Sequence, residues 1–276
     1  MKYTKMHGLG NDYFYAYNEL PCGAPEDASA ISIRLSDRHF GIGSDGIIYI
    51  SPVQTEEADF RMRMFNADGS EGKMCGNGIR CVGKYLYDKG YTDKTVIRIL
   101  TGAGIKTLDL EVEDGKANLL TVDMGHAVVS PETRLTVEAP GLLPYTVDCI
   151  PVDMGNPHAV IFTEDAEAVD LWKQGPPMEK HPFFPDGANI EFITVLSDHE
   201  LRMRVWERGS GITMACGTGA CASAAAAVSM GYCREGEPIT VHLDGGPLTI
   251  TVLPNRKVFM KGPAAFIFEF DDEDLL

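Results

Sequence analysis

The sequence predicts an α+β fold made of two similar halves, and three observations carry that expectation. The segment FRMRMFNADGSEGKMCGNG (60–78) lies over LRMRVWERGSGITMACGTG (201–219) without a gap. An Arg-Met-Arg triplet, a cysteine and its flanking glycines thus repeat at an offset of 141 residues, and collinear self-similarity of this kind marks a duplicated unit. FRMRMFN and LRMRVWE alternate apolar and polar residues, the pattern of a half-buried strand. After each Cys-Gly-x-Gly, IRCVGKYLYDKG and ACASAAAAVSMG run about three helical turns and stop at Gly90 and Gly231, glycines suited to a helix C-cap.

Outside this core the match continues more loosely and in the same order. GNDYFYAY (10–17) pairs with GNPHAVIF (155–162), SDGIIYI (44–50) with PDGANIEFI (185–193), and TGAGIKTL (101–108) with DGGPLTIT (244–251). Each half therefore reads as strand, turn, strand, Cys-Gly-x-Gly and helix, with many short strands around one helix. The second helix, nearly all alanine, is expected to be buried on every side. At 276 residues the chain favours two domains. LLTVDMG (119–125) starts the second half and GPAAFIFEF (262–270) returns to the first, so the expected domains are 1–118 completed by 262–276, and 119–261.

Forty acidic against twenty-four basic residues give a formal charge of −16, which repels phosphate backbones and anionic membranes, so neither is an expected partner. No secretory signal opens the chain, and its longest apolar run, alanine-rich, falls short of a membrane span. Seven cysteines at irregular spacing fit neither a disulfide framework nor a zinc site, and the expected setting is the reducing cytoplasm. GLGND and GIGSDG leave the dinucleotide fingerprint GxGxxG incomplete.

The chemistry rests on what a cysteine before Gly-x-Gly does at a helix start. The first N–H groups of a helix lack intrahelical partners, and the glycines let a ligand approach them. The helix dipole favours a carboxylate at that end and promotes ionisation of a thiol placed there. Cys75 and Cys216 hold equivalent positions in the two halves, so facing halves would present two thiols to one cleft. Two acid/base groups on opposite sides of one carbon are what inversion of a stereocentre requires. That scheme needs no cofactor, neither metal nor pyridoxal phosphate. Cys22, Cys81, Cys149, Cys221 and Cys233 read as packing residues.

The segments MHGLGND (6–12), FNADGSEGKMCGNGIRC (65–81), DMGNPHAV (153–160), ANIEF (188–192) and WERGSGITMACGTGACA (206–222) closely resemble the diaminopimelate epimerase family. The resemblance covers nearly the whole chain. It implies two pseudosymmetric domains, each a curved mixed sheet or barrel around a central helix, closing over a small amino-acid substrate. It implies conversion of LL-2,6-diaminoheptanedioate to the meso form without pyridoxal phosphate, in lysine and peptidoglycan precursor synthesis, with Cys75 and Cys216 as the two bases. The family's substrate contacts fall on Asn11, Asn66, Gly76, Asn77, Asn156, Asn189, Glu207, Arg208, Gly217 and Thr218, and His158 and Glu207 fall where thiol proton affinity is tuned. The family also tends to form homodimers.

One position departs from the pattern: Gly46 stands where some members carry glutamine. Taken alone, each asparagine also fits a turn, His158 fits a buried core histidine, and Glu207-Arg208 fits a structural ion pair. Proline- and hydroxyproline-type racemases share the paired-cysteine scaffold but differ at Asn77 and at ERGSG. A thiol-free isomerase is disfavoured by the presence of both cysteines. A non-catalytic alternative makes Cys75 and Cys216 a redox-switchable disulfide.

Overall fold

The computed structural model describes residues 1–20, 23–138 and 143–271, and Cys22 lies outside them. The chain divides into two compact units, residues 1–122 with 261–276, and residues 123–260.

The first unit opens with β1 (Lys2–Gly8), β2 (Asn11–Tyr17) and α1 (Ala28–Ser36), followed by β3 (Gly46–Pro52), β4 (Phe60–Asn66) and the short β5 (Glu71–Gly72). Then come α2 (Gly76–Asp88), β6 (Val96–Thr101), β7 (Gly104–Glu113) and β8 (Lys116–His126). β2 and β3 pair in parallel, β3 and β4 antiparallel, and β4 and β6 in parallel. Along β2 and β3 the side chains alternate between two buried faces. Phe14, Ala16, Ile47 and Tyr49 join Leu35 of α1 in one apolar cluster. Tyr15 points the other way, its hydroxyl donating to the Gly78 carbonyl of α2 at 3.3 Å. A sheet covered on both faces explains why β3 is buried at six consecutive positions.

The second unit repeats this order. It contains β9 (Val128–Val129), β10 (Thr133–Val137), β11 (Tyr145–Asp153), β12 (Pro157–Phe162), α3 (Leu171–Glu179), β13 (Asn189–Ser197), β14 (Glu200–Glu207) and β15 (Gly211–Ile212). α4 (Gly217–Ser229), β16 (Pro238–Leu243), β17 (Gly246–Val252), β18 (Lys257–Pro263) and β19 (Ala265–Asp271) follow, the last returning to the first unit. β12–β13 is parallel, β13–β14 antiparallel and β14–β16 parallel, the same sequence of pairings as in the first unit. Ile190, Phe192 and Trp206 pack on the α3 side with Leu171 and Met178. The opposite face lies under α4, whose residues Gly219 to Ala227 are all buried, as its alanine content predicts.

Helices α2 and α4 end with Gly90 (φ +77°) and Gly231 (φ +74°) in the left-handed region, the expected C-terminal positions. Helices α1 and α3 were not expected. α1 has no side-chain cap, and α3 carries Pro176 and Pro177 in its interior, which hides it from propensity rules. Asp170 caps α3 by accepting from Lys173 N–H at 3.2 Å. Among the described residues no helix is long and apolar enough to cross a membrane.

Gly46 begins β3 with φ +152°, opposite Asn66 of β4. A Cβ there would sit 2.1 Å from the Phe65 carbonyl oxygen and 3.0 Å from Asn66 Cα, so the backbone itself excludes a side chain. Gly46→Ala is expected to destabilise the protein by about 3 kcal/mol, combining an unfavourable φ with overpacking. The denaturant midpoint should fall with m unchanged, and a midpoint equal to wild type would contradict this reading.

Candidate active site

Each candidate cysteine is the N-cap of the helix in the middle of its unit. Cys75 precedes α2 with extended backbone, and its sulfur accepts from Gly78 N–H at 3.3 Å. Cys216 precedes α4 and accepts from Gly219 N–H at 3.3 Å. The bond falls three residues into the helix, the ordinary capping geometry with sulfur in place of oxygen. It is possible because both third residues are glycine. A Cβ on Gly78 would lie 2.6 Å from Ile48 Cδ1, and one on Gly219 would lie 2.7 Å from Glu191 Oε1.

Around Cys75 the first unit builds a polar chain. The thiol donates to Asn11 Oδ1 at 3.2 Å, and Asn11 Nδ2 donates to Asp45 Oδ2 at 2.7 Å. Arg38 bridges Asp45 and Asp12, at 3.0 and 2.8 Å, and Lys5 reaches Asp12 at 2.9 Å. Burial and the neighbouring Asp12 raise the pKa of Asp45. Burial also works against ionisation of Asp12, but hydrogen bonds from Arg38 and Lys5 outweigh it and lower its pKa. Asn77 is buried in the first turn of α2, its Oδ1 accepting from Arg80 at 3.0 Å, while Arg80 also donates to the Pro263 carbonyl. Asn66 ends β4 and donates to Ser70 Oγ at 3.0 Å. Its neighbour Ala67 donates its N–H to the Asp45 carbonyl, so Asp45 links both strand ends.

Around Cys216 the second unit is drier and more acidic. The sulfur lies 3.6 Å from Thr218 Oγ1, which accepts from Asn156 Nδ2 at 3.4 Å. Asn156 Oδ1 faces His158 Nε2 at 3.1 Å, and His158 Nδ1 faces Glu191 Oε1 at 2.6 Å. Both His158 and Glu191 have 0 % exposed side chains. Glu207 hydrogen-bonds Thr213 and Cys216, and burial raises its pKa. Burial, then the charges of Glu207 and Glu191, push the Cys216 thiol well above its usual range and hold its proton in place. Asn189 links β12 to the segment after β14, donating to the Pro157 carbonyl and accepting from Arg208 N–H.

The structural ion pair that is the alternative reading of Glu207 and Arg208 does not form among the described residues. Glu207 ends β14 and turns inward to Thr213, whereas Arg208, in the turn that follows, donates from Nη1 to the Asp186 carbonyl at 3.1 Å. Asp45, Arg38, Glu191 and Thr213 escaped sequence reasoning because each acts through a partner distant in the chain. Cys81, Cys149 and Cys233 are buried, with thiols pushed up to about 11 by desolvation, consistent with packing. Cys221 is likewise buried and forms no disulfide.

Glu207→Gln removes a negative charge beside Cys216, which favours the thiolate. Alkylation of Cys216 at pH 8, followed by peptide mass spectrometry, should accelerate on the order of tenfold, equivalent to one unit of pKa. Cys81 and Cys149 should be unaffected, and an unchanged Cys216 rate would show that the Glu207 charge is not felt at the sulfur.

The family described as diaminopimelate epimerase matches residues 3–130 and 150–267. A diaminopimelate epimerase of Acetivibrio thermocellus is 50% identical over 98% of this chain and 97% of its own, and that of Agathobacter rectalis is 48% identical over 97% and 98%. Among solved structures, a probable proline racemase of Agrobacterium radiobacter superposes with a TM-score of 0.72 at 16% identity, covering 98% of this chain and 92% of that one. A phenazine biosynthesis protein of Bacillus anthracis superposes with 0.73 at 14% identity, covering 98% of both. These two share the fold, whereas sequence identity near one half along the full length carries kinship, and the chain belongs to the diaminopimelate epimerase family.

Proposed function

We propose that the protein epimerises LL-2,6-diaminoheptanedioate to the meso form by a two-thiol mechanism without pyridoxal phosphate, in lysine and peptidoglycan precursor synthesis. The observation that carries this reading is the duplicated Cys-Gly-x-Gly helix start in a chain of this family. The activity for which the relatives near 50% identity are named favours this substrate, and the likeness to a proline racemase extends to fold alone.

In this mechanism one cysteine, as thiolate, takes the proton from the substrate α-carbon. The other, as thiol, delivers its proton to the opposite face. One C–H bond breaks and one forms, and the two sulfurs exchange protonation states. Cys216, whose proton is held by burial and by Glu207, is the acid, and Cys75, on giving up the proton it shares with Asn11, is the base. Asn11, Asn66 and the Gly76-Asn77 turn bind from one half. Asn156, Asn189, Glu207, Arg208 and the Gly217-Thr218 turn bind from the other, with helix N–H groups facing substrate carboxylate. His158 and Glu207 tune the thiols. Residues 1–118 with 262–276, and 119–261, are the domains that close on the substrate.

We also read the protein as a cytoplasmic homodimer. Among the described residues no cysteine forms a disulfide, which suits a reducing compartment. β19 pairs with β1 and exposes Phe266, Ile267 and Phe268, an apolar edge of the kind that proteins cover.

Incubation of reduced protein with the LL isomer in deuterated water should give α-deuterated meso product. Cys75→Ser and Cys216→Ser should each lower kcat/KM by about 10²–10⁴-fold. Absence of exchange in the wild type would overturn the activity, and full turnover in either variant would overturn the two-thiol step. Phe268→Asp should convert a dimer to a monomer in sedimentation velocity, and an unchanged sedimentation coefficient would remove β19 from the interface.

A further inference from the structure

The two halves provide an internal control for one buried residue. IIYI (47–50) of β3 and IEFI (190–193) of β13 occupy matching places, with Ile47 and Ile190 in the outer apolar clusters. Their next residues, Ile48 and Glu191, both lie under the third-position glycine of the central helix, 2.6 Å from where the Gly78 Cβ would stand and 2.7 Å from where that of Gly219 would stand. The fold therefore accepts an isoleucine at this place. The second half instead buries a carboxylate completely, which is costly unless something compensates it.

The compensation is partial. Glu191 Oε1 meets His158 Nδ1 at 2.6 Å, while Oε2 is buried with no hydrogen-bond partner. The titratable groups near it are His158 on β12, Glu207 on β14 and Cys216 at the start of α4. His158 faces acceptors from both ring nitrogens, Glu191 Oε1 and Asn156 Oδ1. A neutral imidazole donates from only one nitrogen, so the His158–Glu191 pair holds two protons and is neutral as a unit, as its burial requires.

We propose that Glu191 is a positioning residue for the reaction at Cys216. By sharing a proton with His158 Nδ1 it makes Nε2 a permanent donor, which holds the Asn156 carbonyl toward the ring and its amide nitrogen toward Thr218 and the thiol. The chain runs Glu191, His158, Asn156, Thr218, Cys216, at 2.6, 3.1, 3.4 and 3.6 Å. Without the carboxylate, Nε2 is free to become an acceptor and the Asn156 amide to turn over. The inference rests on the reading of Cys216 and Asn156 as site residues.

A double-mutant cycle tests it. Glu191→Gln keeps the volume but offers His158 Nδ1 an amide that can either donate or accept, so Nε2 is no longer held as a donor, and kcat/KM with the LL isomer should fall about 10- to 100-fold, the usual effect of losing a group that orients an imidazole. If Glu191 acts through Asn156, then E191Q/N156A should be no slower than N156A, within about twofold. Wild-type activity in E191Q, or penalties that multiply in the double variant, would overturn the proposal. Proton NMR of the unliganded protein supplies a readout independent of thiol chemistry. The wild type should show a far-downfield His158 ring N–H that E191Q abolishes, and its absence from the wild type would overturn the proposal even if the variant failed to fold. Full turnover by Cys216→Ser would sink the two-thiol reading while leaving that resonance in place, so the two fail separately.

Discussion

In each half the sulfur of a cysteine accepts the N–H of a glycine one turn into the central helix, and that bond governs what surrounds it. It can form only where the helix start sits close on the sheet, since any Cβ at Gly78 or Gly219 would strike the strand side chain beneath. Close seating in turn requires helices that are buried along nearly their whole length, and small residues supply this in α4 and an amphipathic face in α2. The exposed dipole end, the glycine-lined approach and the thiol are thus one structural feature.

Duplication places this feature twice, but its chemical setting differs between the halves. Cys75 is partly exposed and leans on an asparagine held by a charged, solvent-reaching set of Asp45, Asp12, Arg38 and Lys5. Cys216 is buried against Glu207, with Glu191 and His158 behind it. The proposed two-base inversion needs one sulfur with its proton and one without it. Equal helix starts would favour ionisation of both thiols, so the difference has to come from the strands. Asn66 and Glu207 occupy the same repeat position, and so do Ile48 and Glu191; in both pairs the carboxylate belongs to the second half.

The duplication, the helix starts and the C-terminal glycines were legible because they depend on local spacing and on glycine's access to left-handed backbone. The two helix-capping cysteines were legible because the repeat separated them from five other cysteines. Helix α3 was not legible, since its internal prolines oppose the local rule and packing of Leu171 and Met178 overrides it. Nor were the partners of the asparagines. Asp45 reaches Asn11 across 34 residues and Glu191 reaches His158 across 33, distances over which only the sheet pairing brings them together. The alternative Glu207–Arg208 pair is absent for a related reason: β14 ends at Glu207, and the turn that follows carries Arg208 to the Asp186 carbonyl.

The alternation of side chains along a strand explains how a polar site can exist inside an apolar sheet without weakening it. Along β12 and β13 the residues facing α3 are Ala159, Ile161, Ile190 and Phe192, all in one apolar cluster, while His158 and Glu191 take the other face and pair with one another there. The stabilising layer and the chemical layer are carried by the same strands at a period of two. A change on the chemical face therefore leaves the α3 cluster intact, and the repeat supplies the demonstration: its first half carries isoleucine under the glycine, packs the same way, and still presents a cysteine at the head of its helix.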